Sequence, residues 1–245
     1  AGRGEHPEWF MTVARTPYRS ALIVGAGPGL GGSLARVFSR DGGLQVLMAA
    51  RLPERLQAVC TEVGSRALRC DATDPDDVAA LFDEATRYFG AAPDVVVYNA
   101  SRRVPGRFVD IDAQAMLDSV AVTALGAFHV AQQAARRMLP QGKGAILFTG
   151  ATAGVKGFAQ SASFAMGKFA LRGLAQSLAR ELGPQGIHVG HVIVDGLIRT
   201  EVSAQPGPDD QLDPDAIAQT YLHLLSQHRS AWTWEVDLRP WSERF

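Results

Sequence analysis

The chain has only two cysteines, Cys60 and Cys70, no excess of either charge, and no long apolar run. Each shortage excludes something. Two thiols build no disulfide framework and stand at no metal-ligand spacing, so no metal site is expected and a reducing, cytoplasmic setting follows. Lys plus Arg number 24 against 25 Asp plus Glu, a net charge of −1, which argues against a surface for nucleic acid. No apolar stretch reaches the ~18–20 residues that span a bilayer, so no membrane partner is expected. What is present is a chain of 245 residues, 47% hydrophobic, long enough to bury a substantial core. Glycine is plentiful, with 25 residues and seven of them between Gly25 and Gly43. Backbone geometry matters there.

Residues 1–19 contain two prolines and show no period, and are set aside as an N-terminal extension or tag remnant. From Ser20 short β-rich runs alternate with segments of helical period. The runs lie at 21–25, 44–49, 67–70, 94–99, 145–150 and 188–194, with a seventh strand expected in 234–238. Helices are expected at 29–40, 53–63, 75–89, about 112–139 and about 161–183. Asp74-Pro75 reads as an N-cap followed by proline at the first helical position. Leu171, Leu174, Leu178 and Leu182 give the last of these helices an apolar stripe. Strand runs with few polar interruptions suit a sheet covered on both faces, and strand–helix alternation implies parallel pairing. Residues 203–216, rich in Pro, Asp and Gln, read as a loop of the kind that closes over ligands. The expected architecture is one α/β domain over 20–245, a doubly wound parallel sheet of about seven strands.

The turn Gly25-Ala26-Gly27-Pro28-Gly29-Leu30-Gly31 follows the first strand and opens the first helix. Glycines there let a diphosphate approach the backbone, and the helix N-terminus offers free N–H groups and a positive dipole end. The bland alternative is a glycine-rich turn without a ligand, and position after the first strand favours the dinucleotide. The second strand ends in Arg51 with no carboxylate nearby to receive a ribose 2′-hydroxyl. Arg51 instead suits a 2′-phosphate, so NADP(H) is preferred over NAD(H); otherwise it is a solvated residue that begins a loop.

Taken together with downstream segments, the chain resembles the short-chain dehydrogenase/reductase family from about Ser20 onward. The glycine turn is similar to that family's TGxxxGxG, with Val24 where Thr is usual. Cys70-Asp71-Ala72 resembles the segment whose Asp contacts adenine, and Asn99-Ala100 resembles part of NNAG. Gly196-Leu197-Ile198-Arg199-Thr200 resembles PGxxxT, with Asp195 in place of the proline. The resemblance implies a Rossmann-type fold and cofactor contacts from Gly25, Gly29, Leu30, Gly31, Arg51, Asp71, Ala72, Asn99, Ala100, Lys168, Gly196, Ile198 and Thr200. It also implies a homodimer or homotetramer paired through the long helices.

The catalytic set departs from the family. Where the family has Tyr-x-x-x-Lys, this chain has Phe164 and Lys168. Ala151 stands at the serine position and Thr123 at the asparagine position. Of four family positions only Lys168 matches. A positioned general acid is worth roughly 10²–10⁴-fold and an oxyanion donor roughly 10²–10³-fold, and neither Phe nor Ala supplies one. Thr149, Thr152, Ser163 and Tyr98 are nearby hydroxyls, each better read as satisfied locally. An iminium substrate would bypass the gap, because it needs a hydride but no proton on an alkoxide. The resemblance thus implies an NADP(H)-binding oxidoreductase on an unknown small molecule. The alternatives are a non-catalytic dinucleotide-binding sensor or scaffold, or a fold reused for non-redox chemistry.

Overall fold

The computed structural model describes residues 16–199 and 210–242. Seven strands form one parallel sheet in the order β3-β2-β1-β4-β5-β6-β7. They are β1 (Ser20–Val24), β2 (Gln45–Ala50), β3 (Arg66–Arg69), β4 (Val95–Tyr98), β5 (Gly144–Thr149), β6 (Ile187–Val194) and β7 (Glu235–Leu238). Side chains alternate along each strand, so the sheet feeds two cores. Ile23, Met48, Val97, Leu147 and Val192 point to one face, covered by α1 (Leu30–Arg40), α2 (Gln57–Val63) and α7 (Pro214–Ser226). Leu22, Leu47, Val96, Ile146 and Val189 point to the other, covered by α3 (Pro75–Phe89), α5 (Gly126–Met138) and α6 (Ala162–Leu182). This is the doubly wound Rossmann-type arrangement, and its order reverses between β1 and β4, where a crevice opens beyond the strand ends.

The start signals act as expected in α3: the Asp74 carboxylate accepts from the N–H groups of Asp76 and Asp77, Pro75 occupies the first position, and Gly90 closes the helix at φ 74°. The same Asp-Pro signal starts α7. The expected loop 203–216 therefore ends at Asp213, whose carboxylate accepts from Asp215 and Ala216, and α7 packs its buried face beside α1. Its earlier part, 203–209, lies outside the described residues.

The expected long helix at 112–139 is interrupted. The chain forms α4 (Ala113–Val120), then a π-helical turn over Ala121–Leu125, then α5. A tertiary contact accompanies it: the buried Tyr98 hydroxyl donates to the Val122 carbonyl, while the Gly126 N–H reaches back to Ala121. By length and composition the helical run 113–141 could cross a membrane, at a mean hydropathy of 1.2 in its best window. Here it lies along the sheet, with Ala127, Val130, Ala131 and Ala134 in the core. At the other end of the chain, Tyr18, inside the stretch set aside at the sequence level, is buried and its hydroxyl donates to the Gly144 carbonyl at 3.2 Å.

Candidate functional site

The C-terminal ends of β1, β2 and β4 meet at Val24, which stands beside Ala49 and Tyr98 in the pairing register. The chain leaves β1 through Gly25 at φ 79°, a left-handed conformation that a side chain resists. A Cβ at Gly25 would also overlap the Ala100 backbone. The turn is pinned by the N–H groups of Gly25 and Ala26, which donate to the Ala49 carbonyl at 2.9 and 3.0 Å. The Asn99 side-chain amide donates to the Gly25 carbonyl at 3.1 Å.

Two cavities share this crevice. The first, about 310 Å³, is lined by Gly25, Gly27, Arg51, Asp71, Ala72, Asn99 and Ala100 among others. A Cβ added at Gly27 or Gly29 would meet no protein atom within 4 Å, so the backbone there faces open space that a diphosphate fits. Gly31 instead turns toward Ala26, whose Cα lies 2.8 Å from where a Cβ would stand, and Leu30 lines the second cavity. Asp71 is held below the usual carboxylate range by Thr73, whose N–H and hydroxyl both donate to it, with Arg51 adding to the effect. Arg55, which no motif singles out, joins Arg51 on the cavity wall. Neither arginine forms a salt bridge among the described residues. Cys70 is also on this wall, its thiol pushed up to about 12 chiefly by burial, which makes it unreactive packing.

The second cavity, about 570 Å³, brings together Ala151, Phe164, Lys168, Gly196 and Ile198. Thr200 lies outside the described residues. Lys168 is 2% exposed, and its Nζ donates to the Thr149 carbonyl at 2.7 Å. Burial pulls its amine down to about 7. The same Nζ lies 5.7 Å from the Phe164 ring centroid. Ala151 is extended at the cavity edge and Phe164 is half-buried. Thr123 does not join them: it is fully buried in the π-helical turn, its hydroxyl accepts from the Arg102 N–H at 3.4 Å, and its methyl packs where Gly167 has no side chain.

The nearby hydroxyls are occupied. Thr152 donates to Asp195, Ser163 donates to the Val104 carbonyl at 2.9 Å, and Thr149 bonds the Tyr221 hydroxyl at 2.8 Å. Tyr98 is fully buried, and burial raises its phenol well above the usual value. His129 faces the Ala72 carbonyl at 3.2 Å, His188 stacks on Trp232, and His191 meets Glu235 at 3.0 Å. Among the described residues no group of His, Cys, Asp and Glu is arranged to hold a metal. Sequence reasoning missed Arg55, Arg103 and Lys156, all on the walls of the crevice, because Arg55 sits in a short 3-10 turn of helix and the other two in loops, whose facing only the fold decides.

Comparison with known proteins gives a consistent answer. A family model described as short chain dehydrogenase matches residues 19–211. An uncharacterized oxidoreductase of Staphylococcus aureus is 27% identical over 225 residues, which cover 90% of this chain and 96% of that protein. A short-chain dehydrogenase structure from Rhodopseudomonas palustris is 32% identical with a TM-score of 0.76, covering 91% of this chain and 100% of that one. A metagenomic short-chain oxidoreductase solved in complex with NADP is 26% identical with a TM-score of 0.79, covering 91% and 97%.

Proposed function

From the premise that the chain belongs to the short-chain dehydrogenase/reductase family of oxidoreductases, we propose that it is an NADP(H)-dependent oxidoreductase working without the family's Tyr–Ser pair. The observation that carries the reading is the buried Lys168 in the same crevice as the open glycine turn, with Phe164 and Ala151 where proton donors are usual. The turn at Gly25–Gly29 would hold the diphosphate, Asp71 and Ala72 the adenine, and Asn99, Lys168, Gly196 and Ile198 the nicotinamide half. The pair Arg51 and Arg55 supports a 2′-phosphate, and hence NADP(H) over NAD(H). The bound nicotinamide would supply or accept a hydride.

The chain's own residues then set what substrate fits. Phe164 and Ala151 offer no proton and no oxyanion donor, and the surrounding hydroxyls are engaged elsewhere. An iminium ion, which is already activated and leaves no alkoxide to protonate, needs neither donor. The free, buried thiols Cys60 and Cys70 support a cytoplasmic setting. Exposed Leu117, Leu125 and Phe128 on α4–α5, with Met166 and Phe169 on α6, support a homodimer or homotetramer through these helices.

Titration with NADPH and NADH, followed by tryptophan fluorescence, tests the cofactor; no binding below millimolar sinks the proposal. Wild type and the Phe164→Tyr/Ala151→Ser double variant are then assayed with NADPH on matched carbonyl and iminium panels. Turnover by wild type on iminium substrates is expected. Activity that appears only in the double variant would mean a dinucleotide-binding protein that has lost its redox chemistry. Sedimentation at micromolar concentration should show an oligomer, and a monomer would refute the helix pairing.

A further inference from the structure

We propose that the second cavity recognises a carboxylate on a substrate with an apolar body, the anion held by Arg103 with Lys156. The inference rests on reading this cavity as the substrate side of the nicotinamide site, and it names the substrate class. The wall is divided by chemistry. Phe158, Phe164, Leu197 and Ile198 are apolar, while Arg103, Lys156 and Lys168 are basic. Two of the three basic groups lie on the aromatic wall at the cavity mouth. The Arg103 guanidinium stands 4.9 Å from the Phe164 ring centroid, and the Lys156 ammonium 5.5 Å from that of Phe158.

Lys168 is turned inward to Thr149 and cannot serve as the outer anchor. Arg103 and Lys156 are exposed to solvent, and neither pairs with an acidic side chain among the described residues. Asp195, the carboxylate on this wall, is already engaged by Thr152 and lies 3.4 Å from Arg239. Among the described residues the mouth therefore carries two positive charges without an acidic partner, in a chain whose net charge is −1. A neutral substrate that covered these groups would strip them of water without replacing it, which is unfavourable. A carboxylate replaces that water, and the planar guanidinium matches it with two parallel hydrogen bonds. The stacking of both cations on rings limits their freedom before the ligand arrives. A volume of about 570 Å³ admits a small aryl or alkyl acid.

The test compares benzoate with benzamide, two probes of one shape and different charge. Their affinities are measured by ligand-observed NMR titration on wild type and on Arg103→Met/Lys156→Met, each with and without saturating NADP⁺. Benzoate should bind wild type at least about tenfold more tightly than benzamide, the range expected of a hydrogen bond to a charged group, and the double variant should lose the difference. Equal affinity, undetectable binding of both probes, or a preference that survives in the double variant would overturn the carboxylate site. Tighter binding of phenyl phosphate than of benzoate would overturn it too. The same series separates this inference from the proposed function. A benzoate preference without any NADP⁺ binding leaves the anion site and removes the redox reading. NADP⁺ binding without a benzoate preference does the reverse.

Discussion

Replacing Lys168 by Met should change the pH dependence of stability in a calculable way. Burial lowers the Lys168 amine from 10.5 in the open chain to about 7. Below pH 7 the residue is protonated both folded and unfolded, and the fold carries the whole penalty of burying the charge. One pKa unit is worth about 1.4 kcal/mol, so the difference amounts to roughly 5 kcal/mol. Between pH 7 and 10.5 the unfolded chain holds more protons than the native one, so stability rises with pH and the penalty disappears. Methionine carries no such penalty but leaves the Thr149 carbonyl without its donor, a loss of about 1–3 kcal/mol at every pH. The variant should thus be more stable than wild type at pH 6.5, and the advantage should shrink by roughly 3 kcal/mol by pH 9.5. Urea denaturation across that range, with the cofactor absent, reads the difference directly. Groups that do not interact with Lys168, such as Cys70 and Tyr18, titrate alike in both proteins and cancel, and His191, whose charged form Lys168 disfavours, is held below its usual value chiefly by burial. Parallel profiles, differing by less than about 1 kcal/mol in their change over the range, would refute the assignment of a buried, destabilised charge.

Arg51→Ala combined with Arg55→Ala should weaken NADPH binding by about 30-fold, the value of roughly 2 kcal/mol for lost charge-assisted hydrogen bonds, and leave NADH binding unchanged; equal effects in isothermal titration would remove the 2′-phosphate assignment. Tyr98→Phe removes the donor to the half-buried Val122 carbonyl, so urea unfolding should show a loss of about 1 kcal/mol, and a change within error would mean that the π-helical turn does not depend on that hydroxyl. Gly25→Ala combines a left-handed backbone position, about 1–2 kcal/mol, with overlap on Ala100, about 1–3 kcal/mol. A melting temperature unaltered by that substitution would contradict the geometry of the turn.

The sheet was legible because the central strands β1, β2, β4, β5 and β6 are short apolar runs covered on both faces, and such runs are bounded by polar turns that a reader can find. Six runs and the suspected strand at 234–238 all fall within a residue or so of β1 to β7. The helix α7 was missed although Asp213-Pro214 repeats the Asp74-Pro75 signal, because it opens in a stretch whose Pro and Asp content reads as loop. The π-helical turn was not legible at all. Residues 121–125 have helical period, and the group that diverts the Val122 carbonyl is Tyr98, 24 residues away. Motif spacing located Gly25, Asp71, Asn99, Ala151, Phe164 and Lys168, and the fold brings all six to the crevice. Thr123 shows the limit of spacing, because a position in a motif does not say which way a side chain turns. Arg55, Arg103 and Lys156 show the converse, since surface residues of common type acquire meaning only when the chain folds.

The residues of the crevice also differ in what accounts for them. Gly25 needs no function to explain it: the turn out of β1 has no room for a side chain, and one there would destabilise the fold. Phe164 and Ala151 sit half-buried on the cavity wall, outside both hydrophobic cores, so exchanging them for other residues of similar size disturbs the core little. Lys168 is the opposite case. A buried, unpaired ammonium weakens the fold by several kcal/mol at neutral pH, and its bond to the Thr149 carbonyl recovers only part of that. Methionine or leucine would serve the packing better. Stability therefore does not explain Lys168, and the proposed cofactor site gives it a role. This is why the pH profile of Lys168→Met bears on function as well as on folding: a confirmed penalty at this position is a measure of what the protein gives up in stability to keep a positive charge where a nicotinamide ribose would lie.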